Sequence, residues 1–325
     1  MTMDVTDFEL SRRDPLLSGD VYNEQRDFFQ DDKSNRYDKV NDSTNSIALR
    51  SRVSWSLSLG KFEYATLEYS AGSSLEEAEI LIRDALAELN RHKTQFPFKS
   101  FSYWEPDSFQ FLLWSLSFAI FSGEKKSLAT IIRMLSKNPQ DDDDPLLSIL
   151  LARLGYIGLP RITYLVFPKS YQHLYDAIKG DGISPTKTER QESIKQYLKG
   201  WYKGMKDCYW YNRHKGQFPT FFGYWAFEAG LVTLLYGLDD SSYRHMLYYP
   251  KDLVDHARAQ GYDQLFAPEL MEQQKHYIVL PGDECSIDGT FLCNLTNDQI
   301  ILNRGDRAPG PIEDENGNRI FWVSQ

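Results

Sequence analysis

The stretch from Phe222 to Asp252 reads FGYWAFEAGLVTLLYGLDDSSYRHMLYYPKD, an almost entirely apolar run that contains one carboxylate and ends in polar turns. Residues 224–236 leave no wide polar face, so we predict a helix that is buried on most sides. Glu228 then lies where an unpaired charge would cost free energy. We interpret it as a structural carboxylate bonded to a neighbouring helix, with Arg213 or His214 as possible partners.

The residues that follow this helix are turn formers. Gly237 suits a helix C-terminus, and the DDSS sequence at 239–242 predicts a turn whose oxygens can cap backbone amides. The YYP sequence at 248–250 predicts a fixed extended bend. We interpret the whole segment as architectural, and its predicted structural residues are Trp225, Glu228, Tyr249 and Pro250.

The composition limits the classes of function. The 325 residues are 42% hydrophobic and 14% aromatic, which is enough for one large packed core or two modest ones, and the formal net charge is −10. This acidic balance argues against nucleic-acid binding through phosphate neutralisation, because that requires a basic surface. It suits a basic protein partner, whose association an acidic surface accelerates at low salt.

Nothing in the sequence predicts export or membrane insertion. The first residues, MTMDVTDFELSRRDPLL, lack an apolar core of signal-peptide length, and no window has the charge-free length of a membrane span. Cys208, Cys285 and Cys293 form no C-x-x-C pair, which fits neither a disulfide framework nor a zinc site. We expect reduced thiols and a cytoplasmic protein that does not bind membranes.

Changes in composition along the chain predict four segments. They are a polar, partly ordered N-terminal segment (1–45), an N-terminal helical subdomain (46–138), a C-terminal helical subdomain (139–272) and a small β module (273–325). The boundary between the helical halves is marked by Pro139 and the aspartates at 141–144. The predicted fold class is mainly α: a two-layer α-helical body with a small C-terminal antiparallel β module.

Two helix starts carry capping signals. Ser74 and Glu77 have capping-box spacing, ahead of apolar residues that recur at helical intervals between 75 and 89. Asp144 and Pro145 place an N-cap carboxylate before a proline at the first helical position. Further helices are predicted at 109–121, 127–136, 146–154, 169–179 and 188–206.

The C-terminal residues change from a helical to a β pattern. Short β-prone runs at 277–280, 290–295, 299–302 and 319–323 are separated by hairpin-type turn formers. A module of this size buries too little surface to be stable alone, so we expect it to dock on the helices.

Enzyme motifs are absent from the sequence. It contains no GxxxxGK[ST] phosphate loop, no GxSxG elbow, no HExxH zinc motif and no GxGxxG fingerprint. The six histidines lack metal-ligand spacing, and we expect no cofactor and no metal. In an enzyme, Glu228 with His214 would be the acid–base pair, because burial raises the pKa of a carboxyl and imidazole titrates near neutrality.

Candidates for partner binding are acidic or aromatic. Asp239 and Asp240 are predicted to cap and turn the chain, with a divalent cation or basic partner residues as alternative ligands. Residues 141–144 predict a solvated linker or a patch for a basic partner, and the aromatic residues around Trp210 predict core packing or an interface hot spot. The candidate partner-binding residues are Asp141, Asp142, Asp143, Asp144, Trp210, His214, Asp239 and Asp240.

Taken together, these segments resemble the bacterial PoNi-type immunity proteins, whose members typically read GYWxFE, LDDSS and YYPxDL in that order. Here the three motifs occupy residues 223–228, 238–242 and 248–253. The stretches YLKGWYKGMK at 197–206 and YSAGSSLEE at 69–77 are also similar to the family pattern. The resemblance covers roughly residues 45–262, and the residues after about 275 are only loosely similar to a small C-terminal extension of some related immunity proteins.

The resemblance implies a non-catalytic cytoplasmic immunity protein that binds and neutralises a cognate secreted antibacterial toxin. The implied toxin is a nuclease, delivered by a contact-dependent or type VI secretion system. Two alternatives stay open: a helical hydrolase or transferase that uses Glu228 with Asp239 and Asp240, and an adaptor that binds through the β module. A pocket shared by Glu228, His214 and one aspartate would favour the enzyme, whereas a buried Glu228 bonded only to helices would exclude it.

Overall fold

The computed structural model describes residues 5–31, 33–135, 144–158, 164–180, 184–216 and 220–325. The chain divides into two compact units, which we call unit 1 and unit 2. Unit 1 contains Met1–Phe96 and Tyr209–Trp225, and unit 2 contains Pro97–Cys208 and Ala226–Gln325. Each unit is therefore built from two separate stretches of sequence.

The first stretch of unit 1 is helical. Its helices are α1 (Val5–Ser11), α2 (Gly19–Gln30), α3 (Ser34–Asn41), α4 (Ile47–Ala71) and α5 (Leu75–Gln95). The capping box predicted at the start of α5 is confirmed, because Ser74 Oγ accepts from the Glu77 amide at 3.2 Å and the Glu77 carboxylate accepts from the Ser74 amide at 3.1 Å.

Small polar residues lie between α4 and α5. Ser58 Oγ donates to the carbonyl oxygen of Glu88 at 3.3 Å, and Ser54 Oγ lies 2.9 Å from His92 Nδ1. The apolar side chains around them are buried, and each contributes roughly 1.5–3 kcal/mol to folding when fully buried. The two helices form the main layer contact of unit 1.

The second stretch of unit 1 returns to α4 through a glycine. Gly223 has a φ of +118°, a left-handed conformation, and a Cβ atom there would lie 1.9 Å from Ser70 Oγ. The absent side chain lets Ser70 Oγ lie 2.9 Å from the Phe222 carbonyl oxygen and accept from Trp225 Nε1 at 2.8 Å. Gly223 is therefore required for the close approach of this segment to α4.

Unit 2 carries the remaining helices. They are α6 (Pro106–Phe121), α7 (Lys125–Arg133), α8 (Pro145–Arg153), α9 (Pro168–Ile178), α10 (Lys187–Gly204), α11 (Phe227–Leu235), α12 (Lys251–Ala259) and α13 (Pro268–Gln273), with a 3₁₀ turn at Asp263–Phe266. The helices predicted between 109 and 206 are confirmed to within a few residues, although the end predicted for α7, residue 136, lies outside the described residues.

Helix α11 is shorter than the apolar run predicts. It begins at Phe227, whereas we predicted helix from residue 224. Ala226 has φ −79° and ψ 65°, and its amide donates to the Tyr248 carbonyl oxygen at 2.9 Å instead of to a helical neighbour. An apolar run does not by itself distinguish a buried extended segment from a buried helix, which explains the error.

The C-terminus of α11 is as predicted. Gly237 has a φ of +54°, and its amide donates to the Leu234 carbonyl oxygen at 3.2 Å. The next amide, of Leu238, donates to the Thr233 carbonyl oxygen at 3.0 Å. This pair of bonds is a Schellman motif, which satisfies carbonyls that would otherwise lack a donor at the helix end.

The C-terminal sheet is mixed, not purely antiparallel. Its strands are β1 (Tyr156–Ile157), β2 (His276–Val279), β3 (Gly289–Cys293), β4 (Gln299–Leu302) and β5 (Trp322–Ser324), in the spatial order β1-β2-β5-β3-β4. Strands β2 to β5 pair antiparallel as predicted, but β1 pairs parallel with β2. A two-residue strand leaves no alternating pattern in the sequence, so β1 was not predictable.

The β module contacts the helices through Arg133 at the end of α7. Its side chain is 7% exposed, and it donates to the carbonyl oxygens of Cys293 (3.1 Å) and Thr296 (2.7 Å) and to Asn297 Oδ1 (2.9 Å). The module also has its own apolar cluster around Phe291. A buried guanidinium with three acceptors fixes the module on the helices of unit 2.

The predicted fold class, mainly α with a small C-terminal β module, is confirmed. Within the described residues, no helix combines the length and the apolarity that crossing a membrane requires.

Candidate functional site

Glu228 lies at the start of α11 and is fully buried. Its Oε1 accepts from the Tyr197 hydroxyl and from Trp201 Nε1, both at 2.6 Å, and its Oε2 lies 3.4 Å from Gln110 Nε2. Tyr197 and Trp201 are one turn apart on α10, and Gln110 belongs to α6. The donors are thus neutral side chains on two helices of unit 2, in place of the Arg213 or His214 that we considered.

The environment of Glu228 favours its uncharged form. Burial raises the pKa of its carboxyl, and the hydrogen bonds from Tyr197, Trp201 and Gln110 oppose that rise. Gln110 is itself held by the Tyr171 hydroxyl at 2.6 Å. Glu228 is therefore a buried carboxyl bonded to helices, the arrangement that argues against an acid–base function.

The two aspartates after α11 differ in exposure and in partners. Asp239 is exposed, and its carboxylate accepts from the amide and the hydroxyl of Ser241 at 2.9 and 3.0 Å, which forms an Asx turn. Asp240 is 3% exposed and accepts from Arg244 (3.0 Å), Arg258 (3.3 Å) and the Tyr249 hydroxyl (3.0 Å). Asp240 is therefore neutralised within the chain and is not available as a surface contact.

The acidic run at 141–144 is only partly described. Asp141, Asp142 and Asp143 lie outside the described residues, whereas Asp144 caps α8 as predicted. Asp144 Oδ1 accepts from the amides of Leu146 (2.8 Å) and Leu147 (3.3 Å), and Oδ2 accepts from the amide of Val166 (2.8 Å). Asp144 is 1% exposed and burial raises its pKa to about 6, so we remove it from the candidate surface.

The aromatic candidates belong to unit 1 and are mostly internal. Trp210 is 2% exposed and packs on the Tyr224 ring at 5.5 Å between centroids. His214 is partly buried, with Nδ1 2.8 Å from the Tyr224 hydroxyl, and burial together with nearby Lys215 lowers its pKa. Trp210 therefore packs in a core, and His214 keeps part of its surface accessible.

The residues predicted to be structural are buried. Trp225 donates from Nε1 to Ser70 and lies edge-on to Tyr69, with 4.8 Å between centroids. In unit 2, Tyr249 bonds to Asp240, and a Cβ atom added to Gly230 would meet Pro250 Cγ at 3.0 Å. Their structural assignment stays a prediction that these contacts support.

Unit 1 contains a pocket that our sequence analysis missed. Its volume is about 360 Å³, and it is bounded by α2, α4 and the second stretch of unit 1. Glu63 of α4 lines it, with Glu24 and three phenylalanines of the neighbouring segments. Glu63 accepts a hydrogen bond from the Tyr209 hydroxyl, and burial raises the pKa of its carboxyl to about 7.

The sequence contained only a weak signal for this pocket. Glu63 and Glu68 are acidic residues of the run LGKFEYATLEY, in which Phe62, Ala65 and Leu67 are buried. A helical pattern of this kind places an acid next to the apolar face. The pocket forms only because Tyr209, Arg213, Thr220 and Phe222, far along the chain, lie beside α4.

No metal site is formed in the described part of the chain, where no group of three or more His, Cys, Asp or Glu side chains could hold an ion. Cys208, Cys285 and Cys293 are free and buried.

Substitution of Glu228 tests its contribution to stability. Glu228→Leu leaves the Tyr197 hydroxyl and Trp201 Nε1 without their acceptor, so we expect the free energy of unfolding to fall by about 2–5 kcal/mol. Glu228→Gln keeps one oxygen for both donors and should cost about 1 kcal/mol. Urea denaturation followed by circular dichroism measures both values, and a Leu variant as stable as the wild type would contradict this assignment.

Glu63 should make stability depend on pH. Its carboxyl has a pKa of about 7 in the folded protein against 4.5 in the reference state, so the unfolded chain releases this proton at lower pH than the folded protein does. The contribution of Glu63 to stability therefore falls as pH rises from about 4.5 to 7. Glu63→Gln lacks this titration. Its free energy of unfolding, relative to that of the wild type, should therefore be about 2 kcal/mol higher at pH 8 than at pH 5. Equal differences in unfolding free energy at both pH values would refute the raised pKa.

Comparison with known proteins places the fold. Protein PA2201 from Pseudomonas aeruginosa, known from a crystal structure, superposes with a TM-score of 0.54 at 16% sequence identity. The match covers 80% of this chain and 90% of that one, and at this identity it concerns the fold alone. No curated protein matches the sequence.

Two family models match the sequence, one for each half of a single family. The model for the N-terminal part of PoNe immunity proteins matches residues 13–133, and the model for the C-terminal part matches residues 142–253. These proteins form a non-enzymatic inhibitor family, which confirms the prediction that the chain is not an enzyme. Since the two matches together span most of the sequence, the chain belongs to the PoNe immunity proteins (PoNi), the immunity proteins for PoNe nuclease toxins.

Proposed function

We propose that this chain protects the producing cell by binding its cognate PoNe toxin in the cytoplasm as a stoichiometric complex that blocks the nuclease. The observation that carries the proposal is the ordered match of both family halves, over residues 13–133 and 142–253. The proposed route of the toxin between cells is a contact-dependent or type VI secretion system.

The chemistry of the described residues supports inhibition by binding. Glu228 is enclosed by helices of unit 2, and Asp240 is paired with Arg244 and Arg258. These were the groups on which the alternative hydrolase or transferase depended. A protein that neutralises its target without turnover needs surface complementarity and slow dissociation, because affinity differences between related complexes lie mostly in the dissociation rate.

Net charge supports the choice of partner. The chain carries a formal charge of −10, and a nuclease has to present basic residues to phosphates. Opposite charges on the two proteins would accelerate their encounter at low salt. An interface of about 1,600 Å² in total is the standard size for a stable complex and fits a chain of this length.

Of the predicted contact residues, the exposed ones stay in the proposal. Asp239 is exposed and His214 is partly exposed, whereas Asp144, Trp210 and Asp240 are buried. Asp141, Asp142 and Asp143, which were predicted to form a linker or a patch for a basic partner, stay in the proposal as an acidic rim of the interface. A rim charge contributes more to the association rate than to the final affinity.

A titration of nuclease activity tests this function. Purified cognate toxin would degrade plasmid DNA in the presence of rising amounts of the chain, and we expect activity to reach zero at one equivalent, independent of incubation time. An enzyme that destroys the toxin would instead inactivate many equivalents over time. An unrelated nuclease is the control. Full toxin activity at a large excess of the chain would refute the proposal.

Charge reversal tests the acidic rim. Changing Asp141, Asp142 and Asp143 to lysine should slow association with the toxin about tenfold at low salt and reduce its salt dependence, because the steering field weakens. The control reverses three other exposed acids, Glu9, Glu192 and Glu269, which changes the net charge by the same amount. Stopped-flow association rates that are equal for the two variants would remove residues 141–143 from the interface.

A further inference from the structure

The pocket in unit 1 is large enough to admit a long side chain of a partner protein. Its volume of about 360 Å³ lies at the lower end of the range for ligand pockets. Phe29 and Phe222 are 5% and 4% exposed and form fixed walls, while Phe28 is 57% exposed at the opening. Phe28 and Phe29 meet edge-on, with 5.4 Å between ring centroids.

The aromatic walls suit a side chain that has an apolar stem and a charged end. Methylene groups of lysine or arginine pack against aromatic rings, and the charged end is attracted by a ring face. The chain itself uses this contact, since the Arg36 guanidinium carbon lies 5.9 Å from the centroid of Phe28.

The charge of the lining is negative on balance. Glu24 and Glu63 oppose a single cation, Arg213. The Arg213 guanidinium is already bonded, because Nε donates to the Tyr209 carbonyl oxygen at 3.0 Å and Nη1 donates to Thr220 Oγ1 at 2.5 Å. The pocket therefore has an excess of acceptors for a second cation.

Glu63 has a carboxylate oxygen that can accept a further hydrogen bond. Its Oε1 accepts from the Tyr209 hydroxyl, and within the described residues Oε2 has no hydrogen-bond donor and no ion pair. A carboxylate that is shielded from water and held by one neutral donor gains free energy when a cation reaches it. Glu63, which is partly buried in the lining of the pocket, is a carboxylate of this kind.

We propose that this pocket receives a lysine or arginine side chain of the toxin, with Glu63 as its charged partner. The inference rests on the proposed function, because the toxin supplies the occupant. The cation lies between the Phe29 and Phe222 walls, and Phe28 and Glu24 attract it at the opening. Removal of one partner from a water-shielded charge pair at an interface raises the dissociation rate and weakens the affinity.

The test measures binding of the purified full chain to catalytically inactive cognate toxin by titration calorimetry. Glu63→Gln should weaken the affinity about 100-fold, since it removes one charge of a shielded pair and keeps the shape of the side chain. Phe28→Ala, at an exposed position that leaves the core intact, should weaken it about tenfold. A loss of less than threefold in Glu63→Gln would overturn the inference.

The Arg213→Gln variant shows whether the group that enters the pocket is cationic or anionic. Removal of this cation should leave the affinity unchanged or tighten it, because the Arg213 guanidinium repels an incoming cation. If Arg213→Gln weakens binding while Glu63→Gln tightens it, the occupant is an anionic group and the inference is wrong.

Glu68→Gln is the matched control. Glu68 lies on the same helix, accepts from the Tyr22 hydroxyl at 3.1 Å and also has a pKa raised by burial, but it does not line the pocket. We expect less than a threefold change in affinity. Equal losses of affinity in the Glu63 and Glu68 variants would show a structural effect and would overturn the inference that the pocket binds the toxin.

Binding of the toxin and occupation of the pocket are distinguishable in these measurements. Wild-type chain that neither binds nor inhibits the toxin would refute the proposed function. If the wild-type chain binds tightly and the Glu63→Gln and Phe28→Ala variants bind equally well, only the binding of a toxin side chain in the pocket is refuted. Thermal melting of each variant, compared with the wild type, identifies any loss that comes from unfolding.

Discussion

A buried carboxyl that has no cation beside it must be satisfied by neutral donors, and in unit 2 Glu228 imposes this constraint on three helices. Tyr197 and Trp201 present an O–H and an N–H from adjacent turns of α10, and Gln110 reaches it from α6. The start of a helix also carries partial positive charge, which favours an acidic residue there. The positions of α6, α10 and α11 within unit 2 are therefore coupled through one side chain.

The sequence around Glu228 contributes to two cores at once. Gly223, Tyr224 and Trp225 belong to unit 1, and the chain from Ala226 onward belongs to unit 2. In unit 1, Gly223 permits contact with Ser70, and the Tyr224 amide donates to Asp14 at 2.8 Å. This short motif supplies a glycine turn to one core and a buried carboxyl to the other. Substitution of either residue would therefore disturb the packing of a core.

The acidic residues of this immunity protein fall into distinct physical classes. Asp144 satisfies backbone amides at a helix start, and Asp240 balances two arginines, so neither carboxylate is available to a partner. Asp239 faces solvent, while Glu63 lines a cavity with an unused oxygen. The net charge counts these four residues equally, but among them only Asp239 and Glu63 keep a carboxylate accessible to a partner.

Features that depend on neighbours in sequence were predictable. The capping box of α5, the Asp144–Pro145 start of α8 and the glycine that ends α11 follow from bonds between residues that lie within a few positions of one another. The apolar periods of the helices and the hairpin-forming strands are equally local, and family membership followed from ordered motifs.

Features that depend on distant residues required the tertiary structure. The start of α11 depends on a bond from Ala226 to Tyr248, and the parallel pairing of β1 joins residue 156 to residue 276. The donors of Glu228 and the pocket around Glu63 likewise combine residues separated by more than 25 positions. The sequence by itself determined the helical fold class, the helix caps and the family, because local bonds and apolar periods encode them; only the tertiary structure decided which acids are buried, because burial depends on the packing of segments far apart in the chain.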